Sequence, residues 1–130
     1  MPTSYTATVF IEAAPDRVFE YVRVPENRPA WALNFALSTR ELSDGRYVMR
    51  TPFGEMVYRV EAEPRCRTVD FVFETPGEEN LLPTRVVPHG PGAVFTFTIH
   101  RVPGMSDAEW EGGRRGLDEE LAELKKLLEA

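Results

Sequence analysis

The chain has one cysteine and two histidines among its 130 residues, and no apolar run approaches the length needed to cross a membrane. A single cysteine, Cys66, excludes an internal disulfide and is typical of a reducing compartment, so we expect a cytoplasmic protein. The histidines and the cysteine do not have metal-ligand spacing. Because no phosphate loop, Ser-His-acid set or carboxylate pair stands out, the sequence predicts no metal, no cofactor and no catalytic signature.

Positive charge is also scarce. Lysine and arginine number 15 against 21 acidic residues, which gives a formal net charge of −6. Nucleic-acid surfaces need clustered lysine and arginine, so we expect no nucleic-acid partner. The content of 42% hydrophobic and 28% charged residues is typical of a globular protein. The length predicts a single domain over residues 1–130.

The order of predicted elements is read from periodicity and turn residues. Residues 5–12 are rich in β-branched and aromatic types and predict a strand, Pro15 begins a helix, and Pro25 and Pro29 bound a second short one. From there the apolar period changes to two. The further predicted strands are residues 37–43, 46–51, 55–63, 68–75, 81–87 and 93–101. Pro83 predicts that the strand containing it is interrupted or lies at an edge of the sheet.

The last segment is predicted to be one long amphipathic helix. Ser106 and Glu109 have the spacing of a capping box, in which each side chain bonds the other residue's backbone N–H. Leucines recur behind them at helical spacing, and the same stripe extended backward passes Trp110 and Gly113. We therefore expect an α+β fold in which this helix covers one face of a curved antiparallel sheet.

This order resembles the helix-grip superfamily. The resemblance lies in the lead into the first helix at residues 13–16, in Trp31 after the second helix, and in the leucine stripe. That superfamily includes START lipid-transfer domains, Bet v 1-like plant proteins and bacterial polyketide cyclase/dehydrase-like proteins, and residues 101–110 are most similar to the small bacterial branch. The resemblance spans nearly the whole chain and implies a seven-stranded sheet wrapped on the C-terminal helix, with two short helices between strands 1 and 2 and a cavity inside. It does not choose between binding and catalysis.

Strand parity predicts which side chains face the helix, since alternate residues share one face. The inward set is rich in Phe, Met and Tyr, which suit a pocket for an apolar or flat guest and are equally typical of an ordinary core. Residues near the expected pocket mouth and on the helix stripe complete the set. The candidate ligand-binding residues are Trp31, Asn34, Tyr47, Met49, Met56, Tyr58, Phe71, Phe73, Phe95, Phe97, Ile99, Trp110, Gly113 and Leu117.

Gly113 stands on the helix stripe where a leucine is expected. Glycine inside a helix costs roughly 0.5–1 kcal/mol relative to alanine. Either this half of the helix leaves room over a pocket, or it packs closely on bulky side chains. Polar candidates are few: Tyr58 is predicted to face inward and orient a ligand oxygen, and Arg85 would do so if its uncertain parity turned it inward. His100 is predicted to face solvent, and the helix charges are interpreted as a solvated face.

These features favour binding or transport of a hydrophobic or aromatic small molecule, of lipid, quinone or polyketide type, between sheet and helix. One alternative is a polyketide aromatase/cyclase, in which Tyr58 and Arg85 would position an enolate. Another is a protein-interaction domain similar to the chaperone-activator relatives, which carry a Gly-Trp pair that this chain lacks. The expected partner is a hydrophobic small molecule, and the expected assembly is a monomer or a homodimer.

Overall fold

A computed structural model describes residues 3–130. The strands are β1 (Ser4–Ile11), β2 (Ser38–Glu41), β3 (Tyr47–Thr51), β4 (Gly54–Glu63), β5 (Thr68–Thr75), β6 (Glu78–His89) and β7 (Gly92–His100). The helices are α1 (Pro15–Val22), α2 (Arg28–Trp31) and α3 (Asp107–Glu129), with a 3-10 turn at Pro25–Asn27 before α2. The strands form one antiparallel sheet in the order β1-β7-β6-β5-β4-β3-β2, which confirms the predicted helix-grip architecture.

The helix α3 begins at the predicted capping box. The Ser106 Oγ accepts a hydrogen bond from the Glu109 N–H at 3.0 Å, and the Glu109 carboxylate accepts one from the Ser106 N–H at 2.8 Å. Behind this cap the predicted stripe is buried, and its large members are Trp110, Leu117, Leu121, Leu124 and Leu128. None of the helices described in residues 3–130 combines the length and the apolar character needed to span a bilayer.

The core lies on the concave face of the sheet, as strand parity predicts. Side chains from alternate positions of β3, β4, β5 and β7 are buried there, and the largest are Met49, Tyr58, Phe71, Phe73, Phe95 and Phe97. Trp31 from α2 is fully buried and meets the rings of Phe95 and Phe97 edge-on, with centroids 6.2 and 6.3 Å away. The short helix α2 is therefore anchored to the centre of the sheet.

The strand β6 differs from its prediction. It is longer than residues 81–87 and lies between β5 and β7, so Pro83 is not on an edge strand. Its pairing with β7 stops at Thr84, opposite Phe97, whereas its pairing with β5 continues. Within the described part of the chain, residues 78–83 therefore pair on one side only. A proline has no N–H to donate, and it is tolerated here because the β7 side is unpaired.

Candidate functional site

A cavity of about 480 Å³ lies between the sheet and the N-terminal half of α3. This volume falls within the range of about 300–1,000 Å³ that is usual for small-molecule sites. The wall is mostly apolar, and part of it is formed where β6 and β7 stop pairing. The lining residues are Arg28, Asn34, Phe35, Pro52, Phe53, Leu82, Phe97, Ile99, His100, Met105, Glu109, Trp110, Gly112, Gly113, Gly116, Leu117 and Glu120.

The structure divides the predicted ligand-binding set into two groups. The residues that line the cavity are Asn34, Phe97, Ile99, Trp110, Gly113 and Leu117. The others pack in or against the core and are not part of the cavity wall, namely Trp31, Tyr47, Met49, Met56, Tyr58, Phe71, Phe73 and Phe95. Ring stacking explains the division: the Tyr58 and Phe73 centroids lie 5.2 Å apart, and those of Phe71 and Phe97 lie 5.9 Å apart. Aromatic side chains thus fill one end of the predicted bowl themselves.

Neither polar candidate from the strands reaches the cavity. Tyr58 faces inward as expected, but its hydroxyl shares a 2.8 Å hydrogen bond with the Thr39 hydroxyl inside the core. Burial raises the pKa of Tyr58, with that hydrogen bond and Arg28 opposing the shift. The Arg85 side chain is exposed, because its neighbour Thr84 takes the inward position on β6. The condition under which Arg85 would contact a ligand is therefore not met, and Tyr58, although it faces inward, is not part of the cavity wall.

Gly113 faces open space. A Cβ atom built on Gly113 would have no neighbour within 4 Å, and the same holds for Gly112. Close packing against bulky side chains is therefore not the reason for glycine here. At Gly116 the added Cβ would lie 3.4 Å from the Asn34 Nδ2, in ordinary contact. The first turns of α3 carry two glycines that leave the cavity unfilled.

A buried arginine on the cavity wall was missed by the sequence analysis. Arg28 begins α2 and is only 3% exposed. Its Cζ lies 4.1 Å from the ring centroid of Phe71, 5.3 Å from that of Trp31 and 5.5 Å from that of Phe97. Its Nε and Nη1 are buried and have no hydrogen-bond partner among residues 3–130. The sequence feature that indicates its burial is its position three residues before Trp31, which places both side chains on the same side of a helical turn.

Burial lowers the pKa of Arg28 from its ordinary value to about 10, while the nearby Tyr58 and Glu120 oppose that shift. The guanidinium therefore remains a cation at neutral pH. Aromatic ring faces stabilise such a cation. The ring faces do not accept hydrogen bonds from the N–H groups, which lie in the guanidinium plane. Those N–H groups donate to other acceptors where these exist. The cavity wall thus includes a positive group, two of whose nitrogen atoms are buried without a hydrogen-bond partner in residues 3–130.

A buried carboxyl group, Glu120, lies on the same wall. It is 6% exposed, so the interpretation of the helix charges as a solvated face is wrong at this position. Its Oε2 accepts the Asn34 N–H at 2.9 Å, which ties α3 to the segment after α2. Burial raises the pKa of the Glu120 carboxyl, against the backbone N–H groups of Asn34 and Phe35 and the charge of Arg28. Helical periodicity indicates this burial, since position 120 lies three residues after Leu117 and four before Leu124 and so shares their face of the helix.

The rim of the cavity is partly exposed. Phe53, in the turn between β3 and β4, is 82% exposed and contributes to the wall. Its N–H donates to the Thr51 Oγ1 at 3.0 Å, and the Thr51 hydroxyl donates to the Gly54 carbonyl at 2.8 Å. His100 is exposed, as predicted, and also belongs to the wall. These residues mark the side on which the cavity meets solvent.

The arrangement offers a mostly apolar enclosure whose wall includes one buried cation, Arg28, and one buried acid, Glu120. Such a site suits an apolar molecule that carries an oxygen function, since polar groups in apolar pockets fix a ligand's orientation. In the part of the chain that the structure describes, no group of three or more His, Cys, Asp or Glu side chains is placed to hold a metal ion.

Comparisons with known proteins agree with this geometry. The structure of the KanY protein has a TM-score of 0.79 at 19% identity, covering 100% of this chain and 99% of that one. The Aha1 dimer from Colwellia psychrerythraea has a TM-score of 0.76 at 13% identity, covering 98% of this chain and 96% of that one. DynU16, from the dynemicin biosynthetic locus, has a TM-score of 0.70 at 20% identity, and the match covers 98% of this chain and 47% of that one. At these identities the likeness shows a shared fold alone.

A search of curated proteins found no match. Residues 2–129, nearly the whole chain, match the family described as polyketide cyclase / dehydrase and lipid transport. This match, the helix-grip fold and the cavity under α3 all agree, and the chain belongs to the polyketide cyclase/dehydrase and lipid transport family.

Proposed function

We propose that the chain binds a hydrophobic small molecule in the cavity between the sheet and α3. The observation that carries the proposal is a space of about 480 Å³ beside Gly112 and Gly113, where a longer side chain would otherwise fill the core. Protein interiors are close-packed, and empty space of this size is unusual unless something occupies it. Lipid transport in the family's description is consistent with such a role.

Cyclisation of a poly-carbonyl chain is a second function within the same family. Arg28 and Glu120 favour it, since both are buried and both lie on the cavity wall. Positioning a long poly-carbonyl chain needs hydrogen-bonding groups along its length, whereas most of this wall is apolar. We therefore place binding first, and mass spectrometry of a poly-β-keto thioester incubated with the protein tests for turnover.

The binding proposal is tested with the neutral dye N-phenyl-1-naphthylamine, which fluoresces in apolar surroundings. We expect saturable fluorescence with the natural chain and with Gly113→Ala, which adds one methyl group in open space. Gly113→Trp places a large ring in the cavity and weakens dye binding by about tenfold or more, equivalent to roughly 1.4 kcal/mol. Leu82→Trp fills the cavity from the sheet side and is expected to act in the same way.

Circular dichroism and thermal melting of each variant establish that it is folded before titration. A natural chain that binds no dye contradicts the proposal. So do folded tryptophan variants at both positions that bind dye as tightly as Gly113→Ala, because the dye would then occupy another place on the molecule.

A further inference from the structure

We infer that Arg28 holds the polar end of the ligand, and that this ligand is an apolar molecule with one terminal carboxylate. The inference rests on the proposed function and names the chemical class of the ligand. It starts from the unused donors of Arg28, whose Nε and Nη1 are buried without a partner among residues 3–130. Buried polar groups in native proteins are nearly always hydrogen-bonded, and an exception calls for a missing partner.

Aromatic side chains flank the Arg28 guanidinium, and no acidic side chain in residues 3–130 forms an ion pair with it. Trp31, Phe71 and Phe97 surround the guanidinium within 5.5 Å of its Cζ. None of the ion pairs found among the described residues includes Arg28 or Glu120. Arg28 is also a lining residue of the cavity. A molecule in the cavity is therefore the acceptor that the fold leaves room for.

Charge and shape favour a carboxylate at this position. A carboxylate is planar and pairs with a guanidinium through parallel hydrogen bonds, which are stronger than bonds between neutral groups. A phosphate would bring up to two charges, but Arg28 is the only lysine or arginine in the cavity wall formed by the described residues. The nearby carboxyl of Glu120 also disfavours a second negative charge. One guanidinium balances one carboxylate.

The rest of the wall specifies the other part of the ligand. Away from Arg28 the cavity is lined by aromatic and aliphatic side chains, among them Phe35, Leu82, Ile99, Trp110 and Leu117. These side chains give no hydrogen bonds, so the remainder of the ligand must be apolar to fill the space favourably. The geometry points to a molecule such as a medium-chain or cyclic organic acid.

The experiment compares decanoate with decan-1-ol as competitors for N-phenyl-1-naphthylamine. The two competitors have equal chain length and differ in the head group alone. We expect decanoate to displace the dye from the natural chain at a concentration about tenfold lower than decanol, as a charge-assisted pair predicts. In Arg28→Met the preference disappears because decanoate binds more weakly relative to decanol. Arg85→Met removes an exposed arginine outside the cavity and is expected to leave both competitors unchanged.

Two further variants refine the test. Arg28→Lys keeps the charge without the planar pair of donors, so an intermediate preference is expected. Glu120→Gln removes the neighbouring negative charge, keeps an acceptor for the Asn34 N–H, and strengthens decanoate binding by about threefold or more, as the loss of a like charge predicts. If Arg28→Met fails to fold, the lysine and glutamine variants and the natural chain's own preference still decide the question.

Failure of this inference is distinct from failure of the proposed function. Dye that binds the natural chain, together with equal displacement by decanoate and decanol, overturns the assignment to Arg28 and leaves binding intact. Arg28 is then held by its aromatic neighbours alone. Absence of dye binding in the natural chain overturns both proposals.

Discussion

The Nε and Nη1 atoms of Arg28 are buried without hydrogen-bond partners among residues 3–130, and such unsatisfied donors reduce the stability of the fold. Arg28 is charged at neutral pH, since the pKa of about 10 in the folded chain lies well above that range. A base whose pKa is lowered by folding reduces stability wherever it stays protonated, and the penalty is relieved only as pH rises above about 10. At neutral pH the full penalty of Arg28 is present.

Arg28→Met is therefore expected to stabilise the ligand-free protein. Removing the unsatisfied donors raises the free energy of unfolding by roughly 1–3 kcal/mol. Loss of the aromatic contacts lowers it by about 0.5–2 kcal/mol. The expected net gain in the free energy of unfolding is about 1 kcal/mol at neutral pH, by the difference of these two terms. Urea denaturation measures it, with Arg85→Met as the exposed control. A loss of stability would mean that the aromatic contacts outweigh the missing partners.

Glu120 also makes stability depend on pH, but its contribution falls as pH rises, whereas that of Arg28 improves. Its pKa is raised by folding above 4.5, so the folded chain holds its proton more tightly than the unfolded chain does. Stability therefore falls as pH rises from 4.5 through the raised value, and the penalty is absent below 4.5. The charged groups facing this carboxyl are Arg28 from α2 and Glu119 from α3 itself.

Glu120→Gln is predicted to be more stable than the natural chain at neutral pH and equal to it below pH 4.5. Glutamine keeps an acceptor for the Asn34 N–H, so the comparison isolates the charge. Melting temperatures across the acidic range measure the difference, and Glu55→Gln at an exposed position of β4 controls for overall charge. A stability difference that stays constant with pH would contradict the burial of this carboxyl.

At the scale of the element, α3 has two dissimilar halves. The C-terminal half packs leucines on the core and is also tied by polar contacts: the Lys125 Nζ donates to the Phe10 carbonyl at 2.8 Å, and the Arg17 Nη1 donates to the Leu128 carbonyl at 2.7 Å. The N-terminal half lies over the cavity and carries three glycines. One helix therefore serves as an anchor at one end and as a cavity roof at the other.

Gly113→Ala tests whether glycine in the N-terminal half of α3 lowers the stability of the helix while leaving the cavity open. An alanine there meets no neighbour within 4 Å, so we expect the free energy of unfolding to rise by about 0.5–1 kcal/mol. Gly112→Ala should gain as much for the same reason. Gly92→Ala is the contrasting variant, because its Cβ would overlap the Ile11 carbonyl and destabilise the sheet. No gain at either helix position would mean that the turn is not stable helix in solution.

At the scale of the whole molecule, the sequence predicted the architecture better than the site. Alternation in β5 and β7 and the capping box at Ser106 are local signals, and they gave the sheet, its inward face and α3. Glycine on the stripe of α3 left two interpretations open, room over a pocket or close packing, and the open space beside Gly113 agrees with the first. Local signals do not show that β6 pairs with β7 only from Thr84 onward, because that depends on pairing between distant residues.

The polar groups of the site were missed for a related reason. Charged residues are usually exposed, so the charges of α3, Glu120 among them, are interpreted as a solvated face and no burial is predicted for Arg28, although the positions of both residues favour it. Inward parity favours Tyr58 as a ligand contact, yet its hydroxyl is already hydrogen-bonded to that of Thr39 on β2, which is separated from β4 by β3. Parity gives the face of a side chain, whereas its hydrogen-bond partner depends on tertiary structure.

The contrast between the surface and the interior has a kinetic consequence. The molecule has a formal net charge of −6, while the cavity contains an unpaired cation. An organic anion is thus repelled at long range and attracted at short range. Salt screens long-range fields over about 10 Å at 0.1 M, but it acts weakly on a buried pair. Stopped-flow mixing should show decanoate associating faster as ionic strength rises, while its dissociation rate and the association of decanol change little. Such a molecule binds organic acids with a low association rate and a low dissociation rate, which suits storage of a ligand.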